Sequence, residues 1–194
     1  TSARPALMTS PMLHDGPEQV VLVDEQDREI GHMEKMAAHR EGLLHRAFSV
    51  FILNGQGELL LQQRALSKYH SPGLWSNSCC GHPRPGEDVR IAAERRVKEE
   101  MGLTCELRPA FQFTYRAELG DGMIEHELDH VFIGTTGQEP RPAPSEAADW
   151  RFVSQVALVD ELESEPEMFT AWFRICAKQA WEHLDPQDPS TTDA

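Results

Sequence analysis

The chain predicts an α+β fold or a mixed-sheet sandwich on three observations. Short β-branched and aromatic runs are separated by Gly, Asn and Asp turn signals. A stretch before Gly102 carries apolar residues at helical spacing, and the C-terminal third reads as helix again. Strands and helices intermix without the regular alternation of a doubly wound parallel sheet.

The elements follow in order. Residues 20–23 are apolar and mostly β-branched, Asp24 to Asp27 supply turn chemistry, and 29–33 return, which is a hairpin. Residues 47–53 and 59–63 flank Asn54-Gly55-Gln56-Gly57 and predict a second hairpin. Over 87–101, Val89, Ala92, Ala93, Val97 and Met101 recur at helical spacing, and Gly102 stands where a left-handed stop is wanted. Residues 111–118 and 123–134 pair around Gly120-Asp121-Gly122. The three prolines within 138–145 mark a surface loop before a strand at 150–153. Residues 156–162 read as helix, and Pro166 opens a last helix to Leu184.

At 194 residues the chain fits one domain, expected over 19–184, with a disordered or lightly ordered tail rich in Pro, Ser and Met at 1–18 and a polar, Pro-containing disordered tail at 185–194. Eighteen basic against 32 acidic residues give a formal net charge of −14. That argues against nucleic-acid binding and against a basic membrane-surface module. It leaves room for an anionic substrate held by a local cationic cluster. No apolar run is long enough to span a membrane, and 1–17 lack the plan of a secretory signal. Cys79, Cys80, Cys105 and Cys176 make no disulfide framework, so a cytoplasmic protein is expected; a monomer is taken as the starting expectation, although nothing in the sequence fixes the oligomeric state.

Four constellations carry chemistry. The first is a spacing: Gly81, five residues, Glu87, seven residues, then Arg95-Arg96-Val97-Lys98-Glu99-Glu100-Met101-Gly102-Leu103. Charge pattern alone would make this a solvated helix with ion pairs. The spacing, however, resembles the Nudix box, meeting eight of its nine fixed positions. The exception is Arg96, where Nudix hydrolases carry a metal-binding glutamate. Arginine cannot hold Mg²⁺ but grips phosphate bidentately. The second is Asn77-Ser-Cys-Cys-Gly-His-Pro83, where Cys80 and His82 alternate on an extended segment and face the same way. The third is His39 and His45, six apart; the fourth is Glu125-His-Glu127 in a strand, with both carboxylates on one face. Taken singly, each of these histidines reads as an ordinary surface or core residue, and Cys79 as a small buried hydrophobe.

Together with Leu44-His-Arg-Ala-Phe-Ser49, Gln63-Arg-Ala-Leu-Ser-Lys68, Tyr115-Arg116 and Trp172, these segments resemble type I isopentenyl-diphosphate isomerases, from about residue 20 to 181. Isomerases of that family also carry an arginine where Arg96 stands. The resemblance implies a Nudix-type fold, a mixed β-sheet sandwiched between α-helices, and conversion of isopentenyl to dimethylallyl diphosphate through a tertiary carbocation. It implies Cys80 and Glu127 as the acid/base pair, Tyr115 as a relay beside Glu127, and Trp172 as a π face for the cation. It further implies a metal site of His39, His45, His82, Glu125 and Glu127 for Mn²⁺, Mg²⁺ or Zn²⁺. Glu100 is implied as the carboxylate of a second site, where Mg²⁺ bridges to the diphosphate. Lys35, Arg64, Lys68 and Arg96 match a clamp for the diphosphate substrate. The alternative is a Nudix pyrophosphohydrolase, which would leave Cys80 and His39 without work.

Overall fold

The computed structural model describes residues 17–184. Apart from Pro17 and Glu18, the tails read at 1–18 and 185–194 lie outside the described residues. In chain order come β1 (Gln19–Val23), β2 (Glu29–Glu34), α1 (Lys35–Glu41), β3 (His45–Leu53), β4 (Leu59–Arg64), β5 (Trp75–Ser76) and β6 (Cys79–Gly81). Then follow α2 (Val89–Met101), β7 (Arg108–Gly120), β8 (Met123–Thr135), β9 (Ala147–Val153), α3 (Gln155–Ser164), a 3-10 turn (Pro166–Met168) and α4 (Ala171–Leu184). None of the described helices is long and apolar enough to cross a membrane.

The spine is β3. Along one edge it pairs in parallel with β8 over its whole length, His45 opposite Glu127 through Leu53 opposite Thr135. Along the other edge it meets three partners in turn: β1 at His45, β6 at Phe48 to Val50, and β4 at Leu53. The hairpin read over 47–63 therefore exists only at its tip. Beyond it β3 and β4 separate, and β4 pairs instead with β9 and β5. Side chains fill the gap. Ser78 Oγ accepts from the Ile52 N–H (2.8 Å) and donates to Leu60 O (2.7 Å). The Asn77 amide donates to Val50 O (3.1 Å) and Cys79 O (2.9 Å). These bonds satisfy backbone that splayed strands would otherwise leave bare, and they seat Cys80 in the opening.

Alternation sends each strand's side chains to two cores. Phe48, Val50 and Ile52 of β3, Leu60 of β4 and Phe132 of β8 pack under Ala92, Ala93, Val97 and Met101 of α2. Phe51, Leu59, Leu61, Val131 and Ile133 face the opposite way, against Leu158 of α3 and Phe173, Cys176 and Ala180 of α4. Both faces are covered by helices, which is the architecture the Nudix resemblance implies.

Three boundaries differ from expectation. The helix read from 87 starts at Val89, because Asp88 is extended and its carboxylate caps the Arg90 and Ile91 N–H groups. Glu87 is left free to take the Arg84 N–H and the Arg95 guanidinium. The last helix does not start at Pro166. Phe169 is extended and bridges Trp75, Thr170 N–H donates to Trp75 O (3.0 Å), and α4 begins only at Ala171. Helix α1 was not legible: it has seven residues, fewer than local propensity sustains. It is fixed by Glu34, which accepts from Met36 and Ala37 N–H, and by left-handed Gly42.

Two glycines answer to close approach. A Cβ at Gly102, whose φ is 66°, would lie 2.8 Å from Arg141 O. One at Gly81 would lie 2.8 Å from the Phe48 ring tip. Phe48 is fully buried and cannot yield. Gly81→Ala is therefore expected to cost about 1–3 kcal/mol, read as a lowered urea midpoint. An unchanged midpoint would show that the Phe48 ring can move aside.

Candidate active site

The face of β8 that meets α4 changes character along its length. Glu125, Glu127 and Asp129 precede Val131 and Ile133 at period two. The carboxylate end opens into a cavity of about 690 Å³ that Cys80 and Trp172 also line.

Four elements bring His39, His45, His82 and Glu127 together, with one ligating atom from each lying within 4.8 Å of the others. His39 comes from α1, His45 from the first residue of β3, His82 from just beyond β6, and Glu127 from β8. Glu127 Oε1 accepts from His82 Nε2 (2.9 Å) and lies 3.4 Å from His45 Nε2. His45 Nδ1 donates to Leu43 O (2.8 Å). Its Nε2 therefore faces a carboxylate with no hydrogen bond between them, an arrangement that a cation seated there would satisfy. The Nε2 atoms of His39 and His45 are buried without hydrogen-bond partners. Burial, reinforced by His45 and His82, pushes His39 down to about 3, so it stays neutral. A neutral His39 imidazole and the orphaned nitrogens of His39 and His45, beside the Glu127 carboxylate, fit a divalent cation.

Glu125 stands at the edge of this group. Its Oε1 lies 3.6 Å from His70 Nε2, and its Oε2 is 3.1 Å from the Tyr115 hydroxyl. The same hydroxyl lies 2.8 Å from Glu127 Oε2. One O–H cannot donate to both carboxylates at once. Desolvation, then the charge of Glu127, pushes Glu125 well above the ordinary carboxylate range. Burial pushes Glu127 up too, but the imidazoles of His45 and His82 outweigh it and hold Glu127 well below that range. The strand thus carries one carboxyl group that keeps its proton beside one that loses it.

Cys80 sits in a different polar setting. Its sulfur is 3.1 Å from Asn77 Oδ1, 3.6 Å from Ser49 Oγ, and receives the Trp172 indole N–H at 3.1 Å. Ser49 spends its own proton on Asp129 Oδ2 (2.7 Å). Burial, then the nearby Asp129 charge, pushes the thiol up to about 12, so it holds its proton at neutral pH. Trp172 presents its N–H edge to the sulfur, and the Arg64 guanidinium lies over the indole ring at 5.3 Å. Cys79, one residue earlier, points the other way into the α2 core, fully buried.

The four expected clamp cations all line the cavity. Lys35 pairs with Glu18 at 3.1 Å, Lys68 with Glu146, and Arg96 with Glu99 (2.9 Å), Glu100 and Glu146 (3.4 Å). Among the described residues Arg64 makes no ion pair; it donates to His70 O (3.1 Å), and its Nε is buried without a partner. Glu100 lies in the same cavity, apart from the histidine cluster, and accepts from Gln62 Nε2 (3.0 Å).

Every expected site residue except His39 and His45 lines the cavity, and those two sit in the cluster with Glu127 and His82. Sequence reasoning missed Glu18, Tyr69, His70, Asp129 and Glu146. Asp129 was within reach, since it extends the period-two series of Glu125 and Glu127. The others arrive from loops or chain ends with no local pattern.

A NUDIX domain family model matches residues 43–173. An isopentenyl-diphosphate Delta-isomerase 2 of Aromatoleum aromaticum is 50% identical over 159 residues, covering 82% of this chain and 84% of that protein. An isopentenyl-diphosphate Delta-isomerase of Serratia proteamaculans is 53% identical over 161 residues, covering 83% and 90%. Among solved structures, DR0079 from Deinococcus radiodurans superposes with a TM-score of 0.72 at 20% identity, covering 84% of this chain and 99% of that one. A MutT protein from Methanosarcina mazei superposes at 0.58 with 23% identity, covering 72% and 94%. At those identities the structural likeness establishes the fold alone.

Proposed function

The chain belongs to the isopentenyl-diphosphate Delta-isomerase family on the Nudix fold and isomerises isopentenyl diphosphate; we propose that it does so by protonation and deprotonation, with Cys80 and Glu127 as the two proton-transfer groups. One observation carries the reading. The Cys80 thiol of β6 and the Glu127 carboxylate of β8 come from separate strands and line the same cavity. A proton delivered to the terminal carbon of the double bond forms one C–H bond and leaves a tertiary cation. Removal of a different proton two carbons away breaks another C–H bond and gives dimethylallyl diphosphate. The reverse reaction exchanges the two roles, so each group must work both as acid and as base.

The remaining residues serve that exchange. Tyr115, in contact with both carboxylates, relays the proton at Glu127 and fixes its direction. Trp172 offers a π face to the cation, a contact worth about 2 kcal/mol when desolvated. Lys35, Arg64, Lys68 and Arg96 hold the diphosphate. His39, His45, His82 and Glu127, with Glu125 beside them, would hold Mn²⁺, Mg²⁺ or Zn²⁺, and Glu100 would hold a Mg²⁺ shared with the diphosphate. When bound, these ions supply fixed positive charge beside Glu127 and against the substrate's phosphates. Hydrolysis is disfavoured because Arg96 stands where the Nudix box carries a metal-binding glutamate, and arginine cannot hold Mg²⁺.

Incubation in D₂O with isopentenyl diphosphate, Mg²⁺ and Mn²⁺, followed by proton NMR, tests the reading. Dimethylallyl diphosphate carrying deuterium, without phosphate release, is the expected result. Rearrangement without deuterium would remove the protonation route, and released phosphate would favour hydrolysis.

A further inference from the structure

Glu146 is a carboxylate in the wrong place for an anion-binding cavity. It stands immediately before β9 and lines the same cavity as the clamp. Its carboxylate meets Lys68, from the loop after β4, and Arg96, from α2, and so joins two cations of separate elements. Its backbone is tied down: Glu146 N–H donates to Ala143 O (2.9 Å), and Ala65 N–H donates to Glu146 O (3.0 Å). The side chain is only about a fifth exposed. This is not a surface ion pair formed by chance between long side chains.

We propose that Glu146 is an internal counter-ion of the clamp: it bridges Lys68 and Arg96 in the free enzyme, and a diphosphate takes its place. The proposal deepens the clamp reading above and rests on it. An incoming anion must replace a carboxylate already seated between two cations. A diphosphate brings more charge and more oxygens than that carboxylate, and the exchange favours it. A single phosphate gains far less. Glu146 therefore sets a threshold that selects diphosphates over monophosphates, a repulsive element working beside the attractive ones. It also spares Lys68 and Arg96 mutual repulsion in the empty cavity.

Calorimetric titration of the full chain with inorganic pyrophosphate and with inorganic phosphate, in excess Mg²⁺, tests this. In Glu146→Gln, pyrophosphate is expected to bind about tenfold more tightly, about 1.4 kcal/mol. Phosphate is expected to gain by a larger factor than pyrophosphate, so the preference between them narrows. Glu146→Asp, which keeps the charge but shortens the reach, is expected to shift both in the same direction by less, and serves if the glutamine variant does not fold. Unchanged or weaker pyrophosphate binding in a folded variant overturns the proposal and leaves Glu146 as a residue that orders Lys68. If the wild type binds no pyrophosphate, or if Arg96→Ala leaves that binding unchanged, the clamp reading itself falls and the proposal falls with it.

Discussion

Cys80→Ala is expected to lower kcat about 10⁴-fold, the upper range for removing a positioned proton-transfer group, with KM changed little. The size follows from chemistry. An unactivated alkene takes a proton only from an acid held against it, and the other polar groups touching the sulfur cannot replace it. Asn77 is held by its two amide donations, so it turns its acceptor oxygen to the sulfur. The Ser49 proton is committed to Asp129. The Trp172 N–H is too weak an acid. The substitution should leave the fold intact, because Ser78 still bridges β3 and β4 and Asn77 still holds β3 at Val50. Steady-state kinetics, with a urea titration as control, checks both halves. The neighbour supplies a contrast: Cys79→Ala empties volume in the α2 core and is expected to cost about 1–2 kcal/mol while turnover stays within a few-fold. Near-normal kcat in the Cys80 variant would remove the thiol from the mechanism.

That contrast shows where sequence reasoning was strong. Strand alternation alone sets Cys79 and Cys80 on opposite faces, and the same alternation puts Glu125 and Glu127 together. The Nudix spacing placed Arg96 and Glu100 on one turn of helix, and they do pair there. Local rules failed where a contact is made by residues far apart in the chain. The break between Pro166 and α4 is imposed by Trp75, almost a hundred residues earlier, which Phe169 and Thr170 reach across the fold. The splaying of β3 from β4 depends on Asn77 and Ser78, which a hairpin reading of 47–63 never consults. Glu146 follows a proline-rich loop with no periodicity, and its partners lie on another loop and a helix. Tyr69 touches His39, and His70 touches Trp172, only through tertiary packing.

The second large effect separates proton transfer from metal holding. Glu127→Gln is expected to lower kcat by about 10⁴-fold, as for the thiol, and also to lose the divalent ion. Both follow from one side chain. Its Oε1 lies between His45 and His82, and its Oε2 receives the Tyr115 hydroxyl. The amide is uncharged, cannot take up the proton, and can turn an N–H₂ donor towards the His82 N–H or the Tyr115 O–H. Glu125→Gln isolates the two roles. Glu125 is outside the group of four whose ligating atoms converge, yet it shares the Tyr115 hydroxyl. Its substitution is expected to retain the ion and to cost about 10–100-fold, as supporting ligands do. Metal content after dialysis, by plasma emission, with kcat measured on the same samples, decides the matter. If Glu127→Gln keeps its ion with kcat ruined, the carboxylate is a base alone and the three histidines suffice to hold the metal. If Glu125→Gln loses the ion as completely, the two carboxylates act as one ligand set, and the proton they share through Tyr115 is displaced whenever that set is filled.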